Sequence, residues 1–114
     1  MRRISLPIHA LVELVAGLVL VVGAFALDLG AAGTILTFLA GVSLAGLGLG
    51  AAETLPLGVH QSLDRALVIG LSLAAMLAAA DGAVPAAWLL LGTAVVQLGL
   101  MAGTRWTRAP LTRV

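Results

Sequence analysis

The sequence predicts an all-α membrane fold: four transmembrane helices built from two tandem two-helix repeats related by a parallel pseudo-twofold axis. Three observations lead there. Hydrophobic residues fill 61% of the 114 positions against 10% charged, and a mean hydropathy of +1.18 lies far outside the range of a soluble domain. Four apolar runs, each of about 20 residues and so long enough to cross roughly 30 Å of hydrocarbon, are separated by short turns. The segment His9-Ala10-Leu11-Val12-Glu13 returns as His60-Gln61-Ser62-Leu63-Asp64, and each copy opens a pair of runs.

The first run, Ile8 to Leu27, follows Met1-Arg2-Arg3. A secretory signal peptide is the competing reading, because a basic start, an apolar centre and Ala24-Phe25-Ala26 fit its pattern. Glu13 interrupts that centre, and the internal repeat pairs this run with a later helix, so the transmembrane reading is preferred. Asp28-Leu29-Gly30 makes a turn, with glycine supplying backbone freedom and aspartate solvating the bend. Helix two runs from about Ala31 to Ala52. Glu53-Thr54-Leu55-Pro56-Leu57-Gly58 is the longest polar and helix-breaking interruption and divides the copies. Helix three begins near His60 and stays apolar through Ala80 after Asp64 and Arg65. Asp81-Gly82 repeats the acidic-glycine turn. Pro85 suits the first turn of helix four, where its missing N–H would have no partner, and that helix continues to about Gly103.

Residues 1–114 thus read as one integral membrane domain, with repeat one over about 7–54, repeat two over about 57–106 and a basic tail at 105–114. A shift of fifty-one positions aligns His9 with His60, Glu13 with Asp64, Leu39 with Leu90, Gly41 with Gly92, and Leu47-Gly48-Leu49 with Leu98-Gly99-Leu100. The Asp-Gly turns need a shift one or two residues larger. Two spans per copy bring both copies in from the same side of the membrane.

Arg2, Arg3, Arg65, Arg105, Arg108 and Arg113 all fall at one end of the four-span arrangement, and the turns at Asp28 and Asp81 carry no positive charge. By the positive-inside rule the termini and the central loop are cytoplasmic. Trp106 suits the inner interfacial belt, and Phe25 and Trp88 lie toward the outer half. All six basic residues being arginine, in a sequence filled with alanine, glycine, leucine and valine, points to a bacterial gene of high G+C content and hence to the bacterial cytoplasmic membrane. The net charge of +1, with basic residues at chain ends and one loop, argues against nucleic-acid binding.

Small residues mark helix contacts, because lipid tails are as apolar as leucine and close backbone approach must supply the attraction. Gly33, Thr37, Gly41 and Ala45 form one ladder; Gly46 with Gly50, and Gly99 with Gly103, form GxxxG pairs. Packing within the monomer is the preferred reading of these faces, ahead of a homo-oligomer or a membrane-protein partner. Ser43, Ser72, Thr93 and Gln97, the remaining polar groups in the spans, are expected to bond to a neighbouring helix or to their own backbone.

Candidate chemistry is confined to one polar cluster: His9, Glu13, His60, Asp64 and Arg65. A histidine and an acid four residues apart share a helix face, and a twofold arrangement would bring two imidazoles and two carboxylates together. Such a group could ligate a divalent metal or pass protons. The preferred expectation is plainer: these are interfacial groups near the starts of helices one and three, where acids favour the positive end of the helix dipole and polar groups reach water. Arg65 is expected to neutralise Asp64 or Glu13. The absence of cysteine excludes disulfides, thiolate metal sites and cysteine nucleophiles. No phosphate-cradling loop, nucleophile elbow, zincin helix or calcium loop is present. The sequence therefore predicts no catalytic residues, no resident cofactor or metal, and no enzyme.

The layout of each copy is a polar His start, an apolar run with glycine, a short turn and a second run with a central glycine. From about Pro7 to Trp106 it resembles the SPW repeat of small bacterial integral membrane proteins. Where that family places Ser-Pro-Trp, this sequence has Val22-Gly23-Ala24-Phe25 and Leu73-Ala74-Ala75-Met76. The resemblance implies two-span repeats and no particular reaction. Small multidrug resistance transporters are similar in size and span number and use an acid in the first helix, where Glu13 stands here. This chain has no tyrosine and lacks their Trp-x-Gly-x-Gly-like segment. The expected function is a structural or accessory membrane partner, with proton-coupled or small-solute transport through Glu13 as one alternative and metal binding at the His/carboxylate cluster as a second.

Overall fold

A computed structural model describes residues 3–52 and 56–106 and contains four long helices in one bundle: α1 (Leu6–Ala26), α2 (Gly30–Ala52), α3 (Leu57–Ala80) and α4 (Val84–Gly103). Arg2, Glu53-Thr54-Leu55, Arg108 and Arg113 lie outside the described residues. Each helix is long and apolar enough to cross a membrane. Local signals set the ends. Ser5 caps α1 by accepting from the Ile8 N–H at 3.4 Å, and Pro85 sits in the first turn of α4. Gly30 and Gly82 carry φ of +75° and +81°, the left-handed conformation that lets α1 and α3 stop and the chain reverse within a few residues.

The bundle is two antiparallel hairpins, α1 on α2 and α3 on α4. α2 touches both helices of the second hairpin, α1 touches α4, and the backbones of α1 and α3 stay apart on a diagonal. Glycine makes the first hairpin tight. A Cβ built at Gly17 would lie 2.4 Å from the Ala45 nitrogen, one at Gly41 would lie 2.7 Å from the Gly17 carbonyl oxygen, and one at Gly48 would lie 2.7 Å from that of Ala10. The Gly33–Gly41–Ala45 ladder is therefore an internal contact face, with Gly33 against Ala83 and Ala86 of the second hairpin. Gly46 and Gly99 instead have nothing near them, so these glycines of the two GxxxG pairs face outward.

The second hairpin and the loop before α2 close over alanine and leucine: Leu29, Leu71, Ala75, Ala78, Ala86, Leu90 and Ala94 form the buried core. Burial does not match at the fifty-one-residue shift in the second helix of each hairpin. Leu39 is 55% exposed while Leu90 is fully buried, and Gly92 is exposed where Gly41 is buried. The buried positions of α2 match those of α4 at a shift of fifty-three: Gly33 with Ala86, Thr37 with Leu90, Gly41 with Ala94, Leu44 with Gln97, Leu47 with Leu100. The physical reason is that His60 to Asp81 is two residues longer than His9 to Asp28, and two residues turn a helix by more than half a revolution.

Thr37 is fully buried and its hydroxyl has no hydrogen-bond partner. Thr37→Val, which keeps the shape and removes the stranded group, is expected to raise the unfolding free energy by about 1 kcal/mol, read from reversible unfolding in mixed micelles. A loss of stability of that size would mean that the hydroxyl is satisfied.

Candidate functional site

The site forms where α1 and α3 begin and α4 ends. His9 and Glu13 sit one turn apart on α1, and His60 and Asp64 one turn apart on α3, so each helix presents an imidazole and a carboxylate on one face. These faces meet across the diagonal. His9 Nε2 lies 3.0 Å from Asp64 Oδ2 and 3.1 Å from Glu13 Oε2; His60 Nε2 lies 3.1 Å from Glu13 Oε1 and 3.3 Å from Asp64 Oδ1. Each imidazole thus touches both carboxylates, its own helix's and the other's. All four side chains are fully buried, and one donor atom from each lies within 4.8 Å of all the others.

A second set of groups holds this arrangement. Gln97 Nε2 on α4 donates to Glu13 Oε2 at 2.7 Å. The Thr104 hydroxyl donates to the Leu100 carbonyl and lies 2.6 Å from His9 Nδ1. The chain closes over the end of the bundle: the Ile4 N–H donates to the Gly103 carbonyl at 2.9 Å, and the Arg105 N–H to the Ile4 carbonyl at 2.7 Å. This short pairing brings Trp106 onto both imidazoles, with ring centroids 4.9 Å from His9 and 5.5 Å from His60 in edge-to-face contact. The Trp106 Nε1–H is satisfied by the Met101 carbonyl at 3.2 Å. The two imidazoles are themselves edge to face at 5.3 Å.

Two expectations are corrected here. His9, Glu13, His60 and Asp64 are not interfacial groups reaching water. Residues 4 and 104–106 cover the end of the bundle, and the diagonal pairing turns the Glu13 and Asp64 carboxylates inward. Arg65 does not neutralise Asp64 or Glu13. Adjacent residues on a helix point about 100° apart, so Arg65 is directed outward and is exposed, and the four ion-pair contacts among the described residues are all made by histidine. Trp106, at the end of the bundle where an interfacial residue was expected, is half-buried against the two imidazoles.

The remaining polar groups follow the sequence reading. Ser72 donates to the Val68 carbonyl at 2.9 Å and Thr93 to that of Leu89 at 2.7 Å, each within its own helix, and Gln97 bonds across to α1. Sequence reasoning missed Thr104. Its signal was its position: a hydroxyl just past the last apolar turn of α4, at the level of the first turn of α1.

Phe25 and Trp88 are 70% and 69% exposed on the outer surface of the bundle. No protein family, curated protein or solved structure matches this chain.

Proposed function

We propose that this chain is a non-enzymatic four-span protein of the bacterial cytoplasmic membrane, acting as a structural or accessory partner within the bilayer, with the His/carboxylate cluster as its internal joint. The observation that carries the reading is the inverted polarity of the bundle. Its buried set includes His9, Glu13, His60, Asp64 and Gln97, while Val19, Val22, Phe25, Met76, Leu77, Trp88 and Val95 are more than 60% exposed. Large apolar side chains outside and ionisable groups inside are stable in lipid and not in water. The open glycines at Gly46 and Gly99 leave faces on which a helix of another membrane protein, or of a second copy, can approach closely.

The two-repeat architecture belongs to the same proposal. It is supported by matched burial at a shift of fifty-one for α1 and α3 and of fifty-three for α2 and α4, and by the crossed His–acid contacts. Arg3 and Arg105 flank the cluster and support placing that end in the cytoplasm. The accessory role is preferred to transport because fully buried Leu71, two helical turns beyond Asp64, is packed with Leu90 and Ala75 in the apolar core beyond the cluster.

Topology and role have separate tests. Cysteines at Asp28 and Asp81, in a chain without native cysteine, are expected to react with an impermeant maleimide from outside intact cells, and one at Gly58 only after lysis; the reverse pattern overturns the orientation. Mild solubilisation from native membranes is expected to recover the chain in a defined complex. A monomer whose catalytic turnover or ion flux is abolished by Glu13→Ala would overturn the accessory role.

A further inference from the structure

We infer that His9, Glu13, His60 and Asp64 form a closed site for one divalent transition-metal ion of the zinc class, ligated by two imidazoles and two carboxylates. The inference rests on the cluster geometry and is independent of the accessory role.

The hydrogen-bond network fixes one imidazole. With the Thr104 hydroxyl donating to the Leu100 carbonyl, its oxygen is left to accept from His9 Nδ1 in the tautomer that carries hydrogen there. The Nε2 of a neutral His9 is then a bare lone pair aimed at two carboxylate oxygens at 3.0 and 3.1 Å. Carboxylates are acceptors only, so a positive centre has to lie among these atoms. A proton on Nε2 points along one line and serves one oxygen. Hydrogen-bond geometry accordingly exists only for the crossed contacts, His9 to Asp64 and His60 to Glu13. The contacts within each helix, at 3.1 and 3.3 Å, are close approaches without it. Asp64 Oδ1 is left fully buried, aimed into the cluster, with no hydrogen-bond partner. Two imidazoles each flanked by one oxygen of each carboxylate, with a buried acceptor left over, form a donor set that an ion can gather around one centre.

Spacing and charge fit an ion that draws the four side chains together. Metal–donor bonds of about 2.0–2.1 Å in a tetrahedron give donor–donor edges of about 3.3–3.4 Å; one donor atom from each of the four residues already lies within 4.8 Å of the others, and each imidazole Nε2 lies 3.0 to 3.3 Å from one oxygen of each carboxylate. Two carboxylates balance one divalent cation, leaving no net charge in a buried site. The donor set also selects the ion. Imidazole with carboxylate suits zinc, cobalt, nickel or copper(II); no thiolate is present for copper(I), and magnesium and calcium call for six or more oxygen ligands. Gln97 on Glu13 and Thr104 on His9 are the orienting partners that metal ligands ordinarily carry. Trp106 closes the site from the bundle end, which marks a structural ion rather than one with an open coordination position.

The test uses the full chain, purified in detergent without a histidine tag, stripped with chelator and titrated with cobalt(II). The expected result is one equivalent bound, with the intense visible bands of four-coordinate cobalt, bleached by one equivalent of zinc. His60→Ala is expected to weaken binding by about a hundredfold or more and Gln97→Leu by about tenfold, while Asp28→Asn at the opposite end leaves it unchanged. If His60→Ala loses its helical circular dichroism, the wild-type spectrum decides. A stripped, folded wild type that takes up no ion at micromolar concentration overturns the inference. So does weak six-coordinate binding that survives in a folded His60→Ala protein.

Discussion

Glu13→Ala is expected to lower the unfolding free energy by about 3–5 kcal/mol, the range seen when one partner of a buried charged group is removed. Glu13 Oε1 faces His60 and Oε2 accepts from the Gln97 amide while lying 3.1 Å from His9 Nε2, so truncation strands two donors, His60 Nε2 and Gln97 Nε2, in a site closed to water. Asp64 would be left to balance both imidazoles from one side. The loss comes from uncompensated polar groups and not from the attraction alone. Replacing all four residues together by apolar side chains of similar volume (His9→Leu, Glu13→Met, His60→Leu, Asp64→Leu) is therefore expected to cost much less than Glu13→Ala, because the desolvation penalty disappears with the contacts. Both are read by reversible unfolding in mixed micelles, with metal chelated throughout. A change within about 0.5 kcal/mol for Glu13→Ala, the size typical of surface positions, would mean that the cluster is solvated.

Gly17→Ala is expected to be the most damaging methyl group that can be added to the bundle. Its Cβ would lie 2.4 Å from the Ala45 nitrogen, 2.6 Å from the Gly41 carbonyl oxygen and 2.8 Å from the Ala45 Cα. All three are backbone atoms, so no side-chain rotation relieves the clash and α1 must move off α2. Overpacking in an adaptable core costs about 1–3 kcal/mol; separation of this hairpin is expected to exceed the upper end. Because Glu13 lies one turn from Gly17, the shift also pulls the carboxylate away from His60. Gly46→Ala, at a position with nothing within 4 Å, is the matched control and should leave monomer stability unchanged within about 0.5 kcal/mol. Equal effects at Gly17 and Gly46 would contradict the glycine-mediated contact.

The helices were legible because composition, run length and turn chemistry agree at every boundary. The observed ends fall within three residues of those expected, and Gly30 and Gly82 take the positive φ that the acidic-glycine turns call for. The contact face of α2 was legible too, since Gly33, Thr37 and Gly41 repeat every four residues and all three are buried.

The second-helix register was not legible. In a four-letter apolar alphabet Leu39 and Leu90 match by identity while one is exposed and the other buried, and only the two-residue difference in length between the acid-to-turn segments carried the phase at which the buried positions match. The histidines and acids were readable as two facing pairs. Their crossing was not, because it depends on α1 and α3 lying on a diagonal that side chains, not backbones, bridge. Burial of the cluster depended on the pairing of Ile4 with Thr104 and the placement of Trp106. The first joins residues one hundred positions apart and the second carries Trp106 back to His9 and His60, and no local periodicity encodes either.

The central claim is that the four ionisable side chains meet across the bundle, and the contact between His9 and Asp64, 55 residues apart in sequence, tests it most directly. A double-mutant cycle on His9→Gln and Asp64→Asn, measured by reversible unfolding in mixed micelles, is predicted to give a coupling of at least about 1 kcal/mol, as residues in one buried network do. Additivity within about 0.3–0.5 kcal/mol, the behaviour of sites without shared partners, would contradict it.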